Sequence, residues 1–388
     1  MQEIITKPTW AEINLDNLIY NYRVLKELCF NTDISCVVKA NAYGHGAIQV
    51  SKTLEREGAH YFSVSSLQEG LELRHAGIKS PIMIMTALPT GVEAAAIKNG
   101  IEATVYSYDQ ALRLNEICNE LNMVYNIHIK LDTGMRRIGF RIDDRAVEEI
   151  KKIHSLEFLK LKGVFTHFAA ADEANNNYTP IQFKAFMDMV EKLENEGVVF
   201  DIKHVDNDAA LLMYDYREDM VRLGIGLYGI FPSSFVKAKV EHNLKPVMTL
   251  KSVVTHVKTV SRGETIGYGQ TFTAEDEMKV ATIGIGYADG LPRLMSNKGS
   301  IMINGHMCPV VGRVCMDQVM VDVTGIKVKP EDEAIIFGDP NNNEPDIGKI
   351  ADICDTISYE VLSGINRRVP RVYINGGRTV NIISYLDY

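Results

Sequence analysis

Eight short runs of apolar and β-branched residues, separated by longer stretches of helical periodicity, dominate the first 230 or so residues and limit what the chain can fold into. The runs are Ile34–Val38, Tyr61–Val64, Pro81–Met85, Ile101–Val105, Tyr125–Leu131, Leu161–His167, Ile202–Asp206 and Met220–Gly224, with helical patterns such as Tyr108–Leu121 and Thr179–Asn195 between them. Strands that alternate with helices form parallel sheets, because a parallel neighbour needs a long crossover. Eight repeats within about 240 residues match a (β/α)8 TIM barrel; a doubly wound sheet uses similar units, but the count favours the barrel. After the polar stretch around Lys237–Lys245 the pattern changes to alternating strands with glycine turns, as in Ser252–Val260 and Met320–Val323. The expected division is an α/β barrel over residues 1–243 and a C-terminal, mainly β domain over residues 244–388.

The composition narrows the partners. With 46% hydrophobic and 23% charged residues, the 388-residue chain has the balance of a globular protein of two domains. Its net charge of -9 is spread along the chain with no basic block, so nucleic acid is not an expected partner. No stretch of about eighteen apolar residues and no leader-like start is present, so no membrane association is expected. The six cysteines at 29, 36, 118, 308, 315 and 354 include no Cys-x-x-Cys pair, which fits reduced thiols in a cytoplasm. No metal is expected.

In a barrel of this kind, chemistry gathers at the carboxyl ends of the strands. The first run ends at Lys39, the fifth at Lys130 and Asp132, the sixth at His167, the seventh at Asn207 and Asp208, and Arg222 lies on the eighth. One lysine after a strand is most often a solvated end. A lysine among several cationic and hydrogen-bonding groups is what a Schiff-base cofactor carrying a phosphate would need. Composition alone does not name that cofactor. The loops Asn207-Asp208-Ala209-Ala210 and Gly224-Ile225-Gly226 follow the seventh and eighth strands, where barrels commonly bind phosphate, although Gly-x-Gly by itself describes an ordinary turn equally well.

Val37-Val-Lys-Ala-Asn-Ala-Tyr-Gly-His-Gly46 resembles the pyridoxal phosphate attachment motif of alanine racemases. Lys130-Leu-Asp-Thr-Gly-Met-Arg-Arg-Ile-Gly139, Thr166-His-Phe-Ala-Ala-Ala-Asp172, Arg222-Leu-Gly-Ile225, Gly267-Tyr-Gly269, Gly284-Ile-Gly-Tyr-Ala-Asp-Gly290 and Gly312-Arg-Val-Cys-Met-Asp317 are similar to that family's other motifs in order and spacing. The resemblance implies an isomerase that interconverts L- and D-alanine, supplying D-alanine for peptidoglycan. Lys39 would carry the cofactor covalently and serve as one base, and Tyr268 would be the other, because racemisation removes a proton from one face of Cα and delivers one to the opposite face. Arg222 would face the pyridine nitrogen, with His167 orienting it. Arg137 would meet the cofactor and the substrate carboxylate, Lys130 would be carbamylated to hold Arg137, and the Met316 N–H would meet the substrate carboxylate. Tyr43, Tyr359, Asn207 and the backbone of Asp208, Gly224 and Ile225 would hold the cofactor. The family's second domain covers the barrel mouth of a partner subunit, so a homodimer with shared active sites is implied.

Two positions depart from the family pattern. Asp208 stands where serine or threonine is common, and a carboxylate aimed at a phosphate would repel it; Asp208 is therefore expected to cap its own helix and offer the phosphate only its N–H. Arg136 is a bulky cation beside Arg137, and the spacing from Lys130 favours Arg137 as the functional arginine. Pyridoxal phosphate-dependent decarboxylases carry Glu-Pro-Gly-Arg near the eighth strand, whereas this chain reads Val221-Arg222-Leu223-Gly224. A serine or broad-specificity racemase, or a non-catalytic pyridoxal phosphate-binding relative, remain the alternatives.

Overall fold

The computed structural model describes residues 7–385 of the chain, so the expectation drawn from the first six residues about a leader lies outside the described part. A first strand, β1 (Trp10–Asn14), precedes the barrel strands β2 (Asp33–Val37), β3 (Phe62–Val64), β4 (Ile82–Ile84), β5 (Ile101–Val105), β6 (Tyr125–Lys130), β7 (Leu159–Phe165), β8 (Ile202–His204) and β9 (Met220–Leu223). The eight barrel strands are hydrogen-bonded in the order β8-β7-β6-β5-β4-β3-β2-β9, and their pairings are parallel. Every residue of β3, β4, β5 and β9 is buried. A parallel strand covered on both faces reads as a continuous apolar run, and these are the runs visible in the sequence.

The ladder leaves β8 and β9 unpaired, and other bonds sew that seam. The Arg222 N–H donates to the Asp206 carbonyl at 3.0 Å and the Lys203 N–H to the Asp219 carboxylate at 2.7 Å. The Arg222 guanidinium crosses the same seam to the carbonyls of His204 (2.8 Å) and Val205 (2.9 Å). A residue expected to serve the cofactor thus also helps to close the barrel. Two helices begin directly after strands on side-chain caps, with Ser66 accepting from Glu69 N–H and Ser107 from Gln110 N–H, and the helix Asp144–His154, after a longer loop, is capped by Asp143 accepting from Ala146 N–H.

The second compact unit contains the chain up to Leu18, the segment Tyr43–Gly46, and the chain from Lys245 onward. Its strands are β1, β10 (Met248–Val260), β11 (Thr265–Ile266), β12 (Phe272–Thr273), β13 (Met278–Ile283), β14 (Ser300–Ile303), β15 (His306–Pro309), β16 (Val319–Asp322), β17 (Glu333–Phe337), β18 (Arg371–Asn375) and β19 (Arg378–Ile383). β15-β14-β17-β10-β1-β18-β19 form the main path of a nine-stranded sheet, joined at β10 by β13 and through it β16. The long β10 serves two ladders: its first half pairs with β1 and β17 and, after a bulge near Val254, its second half pairs with β13. Because β1 pairs here, this unit takes chain from before the barrel as well as after it.

The segment Tyr43–Gly46 is held inside this unit by two buried side chains. The Arg371 Nε donates to the Gly44 carbonyl at 2.9 Å, and the Tyr373 hydroxyl donates to the His45 carbonyl at 3.0 Å. Gly46 has φ +97°, and a Cβ there would fall 1.8 Å from the Tyr373 hydroxyl, so both backbone conformation and space demand glycine.

Candidate active site

Lys39 follows β2 and opens an unusual turn: Ala40, Asn41, Ala42 and Tyr43 all have φ between +51° and +56°. Four successive L-residues in the left-handed region cost on the order of 1–2 kcal/mol each, and such strain persists only where the surroundings enforce it. Glu69 supplies part of that enforcement, since its carboxylate accepts the Ala40 N–H at 2.7 Å and the Ser65 N–H at 2.8 Å. Burial, seconded by the Arg137 charge, holds the Lys39 amine below the usual lysine range, against the pull of Glu69. The neutral, nucleophilic form of the amine is thereby favoured relative to an ordinary lysine.

The barrel interior buries several nitrogen-bearing side chains. Lys130 and Arg222 are 3% and 2% exposed. Lys130 Nζ, His167 Nδ1 and Arg222 Nε are buried without a hydrogen-bond partner among the described residues. Burial first, then Arg222 and Arg137, hold the Lys130 amine well below its usual range. His167 is likewise kept neutral by burial and by the charges of Arg222, Lys130, Arg137 and Lys39. Arg222 is pushed down to about 10 by burial, so it remains a cation at neutral pH. Buried polar atoms are normally bonded. Three orphans around one barrel end, all carried by nitrogen, mark a place shaped for a polar, electron-rich group such as pyridoxal phosphate.

Arg222 is not oriented by His167, as the sequence suggested. His204 takes that part: Arg222 Nη1 donates to His204 Nδ1 at 3.1 Å and to the His204 carbonyl, while Nη2 donates to the carbonyls of Thr166 and Val205, both at 2.9 Å. Four of the five guanidinium N–H donors are thereby committed. Only Nε–H is left, and it is one of the three orphans.

The two adjacent arginines separate. Arg136, with φ +59°, donates its N–H to Asp132 at 2.9 Å and lies 3.5 Å from the same carboxylate through Nη1. Arg137 has no ion-pair partner among the described residues, yet it lowers the proton affinity of Lys39, Lys130 and His167. Asp132, beside Lys130 in sequence, was the signal that tells them apart.

The loops after β8 and β9 contradict the expectation for Asp208. Asn207, not Asp208, caps the helix Asp208–Met213, accepting the Ala210 N–H at 3.0 Å. The Asp208 carboxylate turns across to β9 and accepts the N–H groups of Gly224 (2.8 Å) and Gly226 (3.0 Å). A Cβ at Gly226 would come within 2.6 Å of that carboxylate, so glycine is what admits it. Burial nevertheless pushes the Asp208 carboxyl up to about 6. Gly224 N–H, expected to serve a phosphate, is thus already taken by an internal anion, and the Ile225 N–H at the start of the short helix Ile225–Tyr228 also acts on that carboxyl.

The remaining expected residues lie in the β unit. Tyr43, 8% exposed, and Tyr359 face each other with ring centroids 6.0 Å apart. Tyr268 sits between β11 and β12, flanked by Gly267 and Gly269 at φ +75° and +70°, and is 71% exposed. Met316 is 52% exposed. Sequence reasoning missed His204, His128 and Glu102 inside the barrel. His128 shares a strand face with Lys130 two residues on, and that period-two relation was the available signal.

Comparison with known proteins agrees with this geometry. The family models for the N-terminal domain and the C-terminal domain of alanine racemase match residues 13–232 and 247–373. An alanine racemase of Clostridium novyi (strain NT) is 44% identical over 386 residues, covering 98% of this chain and 99% of its own. The solved alanine racemase of Clostridium difficile 630 superposes with a TM-score of 0.94 at 44% identity, covering 99% of this chain and 100% of that one. A Bartonella henselae alanine racemase with covalently bound pyridoxal phosphate gives a TM-score of 0.85 at 29% identity, covering 95% of this chain and 99% of that one.

Proposed function

Because the chain belongs to the alanine racemase family, we propose that it interconverts L- and D-alanine with pyridoxal phosphate, using Lys39 and Tyr268 as its two bases. The observation that carries this reading is the set of unpartnered buried nitrogens of Lys130, His167 and Arg222 beside a lysine of depressed proton affinity. Pyridoxal phosphate, when bound, supplies the electron sink that acidifies the α-proton of an amino acid joined to it.

Lys39 provides the amine for covalent attachment and, once freed, takes or returns a proton on one face of Cα. Arg222 Nε–H is the one uncommitted donor for a ring nitrogen. A guanidinium still charged at neutral pH would give that nitrogen a hydrogen bond but no proton, which would favour simple return of the α-proton over side reactions. Arg137 serves the substrate carboxylate, with the Met316 N–H. Lys130, its proton affinity depressed by burial, can add to carbon dioxide through its neutral form, forming an N–C bond and releasing one proton; the resulting carbamate anion would be stabilised by Arg137 and Arg222. By the family resemblance, Tyr43, Tyr359 and Asn207 would hold the phosphate, and His167 would lie beside the cofactor. The N–H groups of Asp208, Gly224 and Ile225 would contribute in competition with the Asp208 carboxylate.

Tyr268 is 71% exposed on this chain, unlike a base that must exclude water to work, so its place is in a homodimer whose partner's barrel it completes. The cytoplasm is the compartment that suits six free cysteines and a supply of D-alanine for peptidoglycan; no described helix is long and apolar enough to cross a membrane. The test is racemisation of L-alanine, L-serine and L-lysine by the purified protein with added pyridoxal phosphate. Fast turnover of alanine alone, lost in Lys39→Ala, is the expected result. Comparable rates on the larger substrates would replace alanine by a broad substrate range, and bound cofactor without turnover would overturn the assignment.

A further inference from the structure

We infer that Glu102, acting through His128 and His204, is a positioning residue that fixes the aim of the Arg222 guanidinium; this rests on the reading above, in which Arg222 serves the cofactor. An unbroken hydrogen-bonded file joins them inside the barrel. Arg222 Nη1 lies 3.1 Å from His204 Nδ1, His204 Nε2 lies 3.1 Å from His128 Nδ1, and His128 Nε2 lies 2.9 Å from Glu102 Oε2. Tyr61 donates to the same Glu102 oxygen and lies 2.8 Å from His128 Nε2, and Asn126 donates to the other oxygen at 3.0 Å. His128, His204 and Arg222 are at most 2% exposed and Glu102 is 6% exposed.

The chemistry of the two ends sets the direction of every bond between them. A guanidinium only donates, so His204 Nδ1 must accept and its proton must sit on Nε2. That proton points to His128 Nδ1, which must in turn accept, leaving His128 protonated on Nε2 and donating to Glu102. An ionised carboxylate only accepts, and the file ends consistently there. His128, Tyr61 and Asn126 together hold the Glu102 carboxyl below its usual range although burial opposes them. Burial, with the Arg222 charge, keeps His204 neutral.

The fold makes room for this file. A bulge in the β6–β7 ladder places Gly163 opposite His128, and a Cβ at Gly163 would lie 2.2 Å from His128 Nδ1. His204 is stacked on Phe165 with centroids 4.7 Å apart, which fixes its plane but not its tautomer. Arg222 can relieve a conflict by turning its guanidinium, whereas the ionised carboxylate at the far end can only accept, so it is that anion that holds the tautomer. With the opposite one, His204 would present an N–H to the Arg222 N–H, and the guanidinium would have to turn, carrying Nε–H off its line.

Glu102→Gln keeps the shape but allows either direction, because an amide both donates and accepts. In the cofactor-free chain with 15N-labelled histidines, wild type is expected to show His204 protonated on Nε2, and Glu102→Gln to show a second population protonated on Nδ1. In the loaded enzyme, kcat for alanine should fall on the order of tenfold with KM nearly unchanged, and pyruvate released per racemisation should rise by a similar factor as the control by Arg222 of side reactions loosens. Gly163→Ala, which drives a methyl group onto His128 and leaves Glu102 in place, should reproduce both changes. A folded Glu102→Gln protein with the wild-type His204 tautomer and the wild-type pyruvate yield would overturn the inference. Absence of racemisation in the wild type would instead sink the underlying assignment, and the tautomer measurement would still decide the role of Glu102.

Discussion

In the barrel, Lys130, His204 and Arg222 are at most 3% exposed, and Arg222 buries a cation for which the fold supplies few counter-charges; in the β unit, Tyr268 and Met316 are 71% and 52% exposed. The barrel spends stability to bury charges in advance of a ligand, which is how a preorganised electrostatic site is built. The β unit leaves its contribution in solvent. On the proposed reading, one half of the chemistry would be complete within a chain and the other half would need a partner subunit's cover.

Mixing two disabled variants tests that contrast with the largest expected effect. Lys39→Ala alone should lose on the order of a thousandfold or more in racemisation, and Tyr268→Phe should lose most of its activity in at least one direction. If each site takes Lys39 from one chain and Tyr268 from the other, a mixed dimer of the two variants holds one intact site. Randomised mixing should then restore about a quarter of the wild-type sites. Failure of the mixture to regain activity, with mixed dimers demonstrated, would show that both bases come from one chain.

The same contrast governs what could be read from the sequence. Barrel strands buried on both faces leave continuous apolar runs, and each of β2–β9 falls in or overlaps one of the eight runs; the helix Tyr108–Leu121 was delimited to the residue. The β unit was harder. β1 was not recognised, because a five-residue strand with alternating burial gives little signal before its distant partner β10 is known. Candidate site residues at or near strand ends, such as Lys39, Lys130 and Arg222, could be picked out from the barrel rule. Glu102, His128 and His204 were not, since each is a single polar residue inside an apolar strand and matters only through neighbours across the barrel. Asp208 was misjudged for a related reason: its carboxylate is bound by Gly224 and Gly226, sixteen and eighteen residues on, and no local capping rule sees that distance.

Asp208 offers the next effects in size. Its folded value of about 6 exceeds the ordinary 3.8, so the folded state holds the proton more tightly than the unfolded chain. The resulting stabilisation is fully present below about pH 4 and is lost as the pH rises through 6, a change on the order of 2–3 kcal/mol for a fully buried group. Chemical denaturation of the cofactor-free protein at pH 4.5 and 7.5 should show this component in wild type and not in Asp208→Ser; equal pH dependence in the two would contradict it. The same substitution frees the N–H groups of Gly224 and Gly226 for a phosphate. Cofactor affinity at pH 7.5 should tighten about tenfold, near 1.4 kcal/mol, by fluorescence titration of the cofactor-free chain. Unchanged affinity would mean that the carboxylate and the phosphate use separate donors.

The smallest effect separates two neighbouring arginines within the barrel. Arg136 meets Asp132 through a guanidinium contact at 3.5 Å on a side chain that is 53% exposed. Asp132 also accepts the N–H groups of Gly134 and Arg136 at 3.0 and 2.9 Å, and those survive truncation of the side chain. Arg136→Ala keeps the same positive φ, so it loses only an exposed ion pair, worth within about 0.5 kcal/mol of stability, and should leave kcat/KM for alanine within about twofold. Arg137→Ala removes a cation that Lys39, Lys130 and His167 all sense, and should raise KM for alanine by on the order of tenfold or more. A larger loss from Arg136→Ala than from Arg137→Ala would exchange their roles, and with them the residue that a Lys130 carbamate would hold.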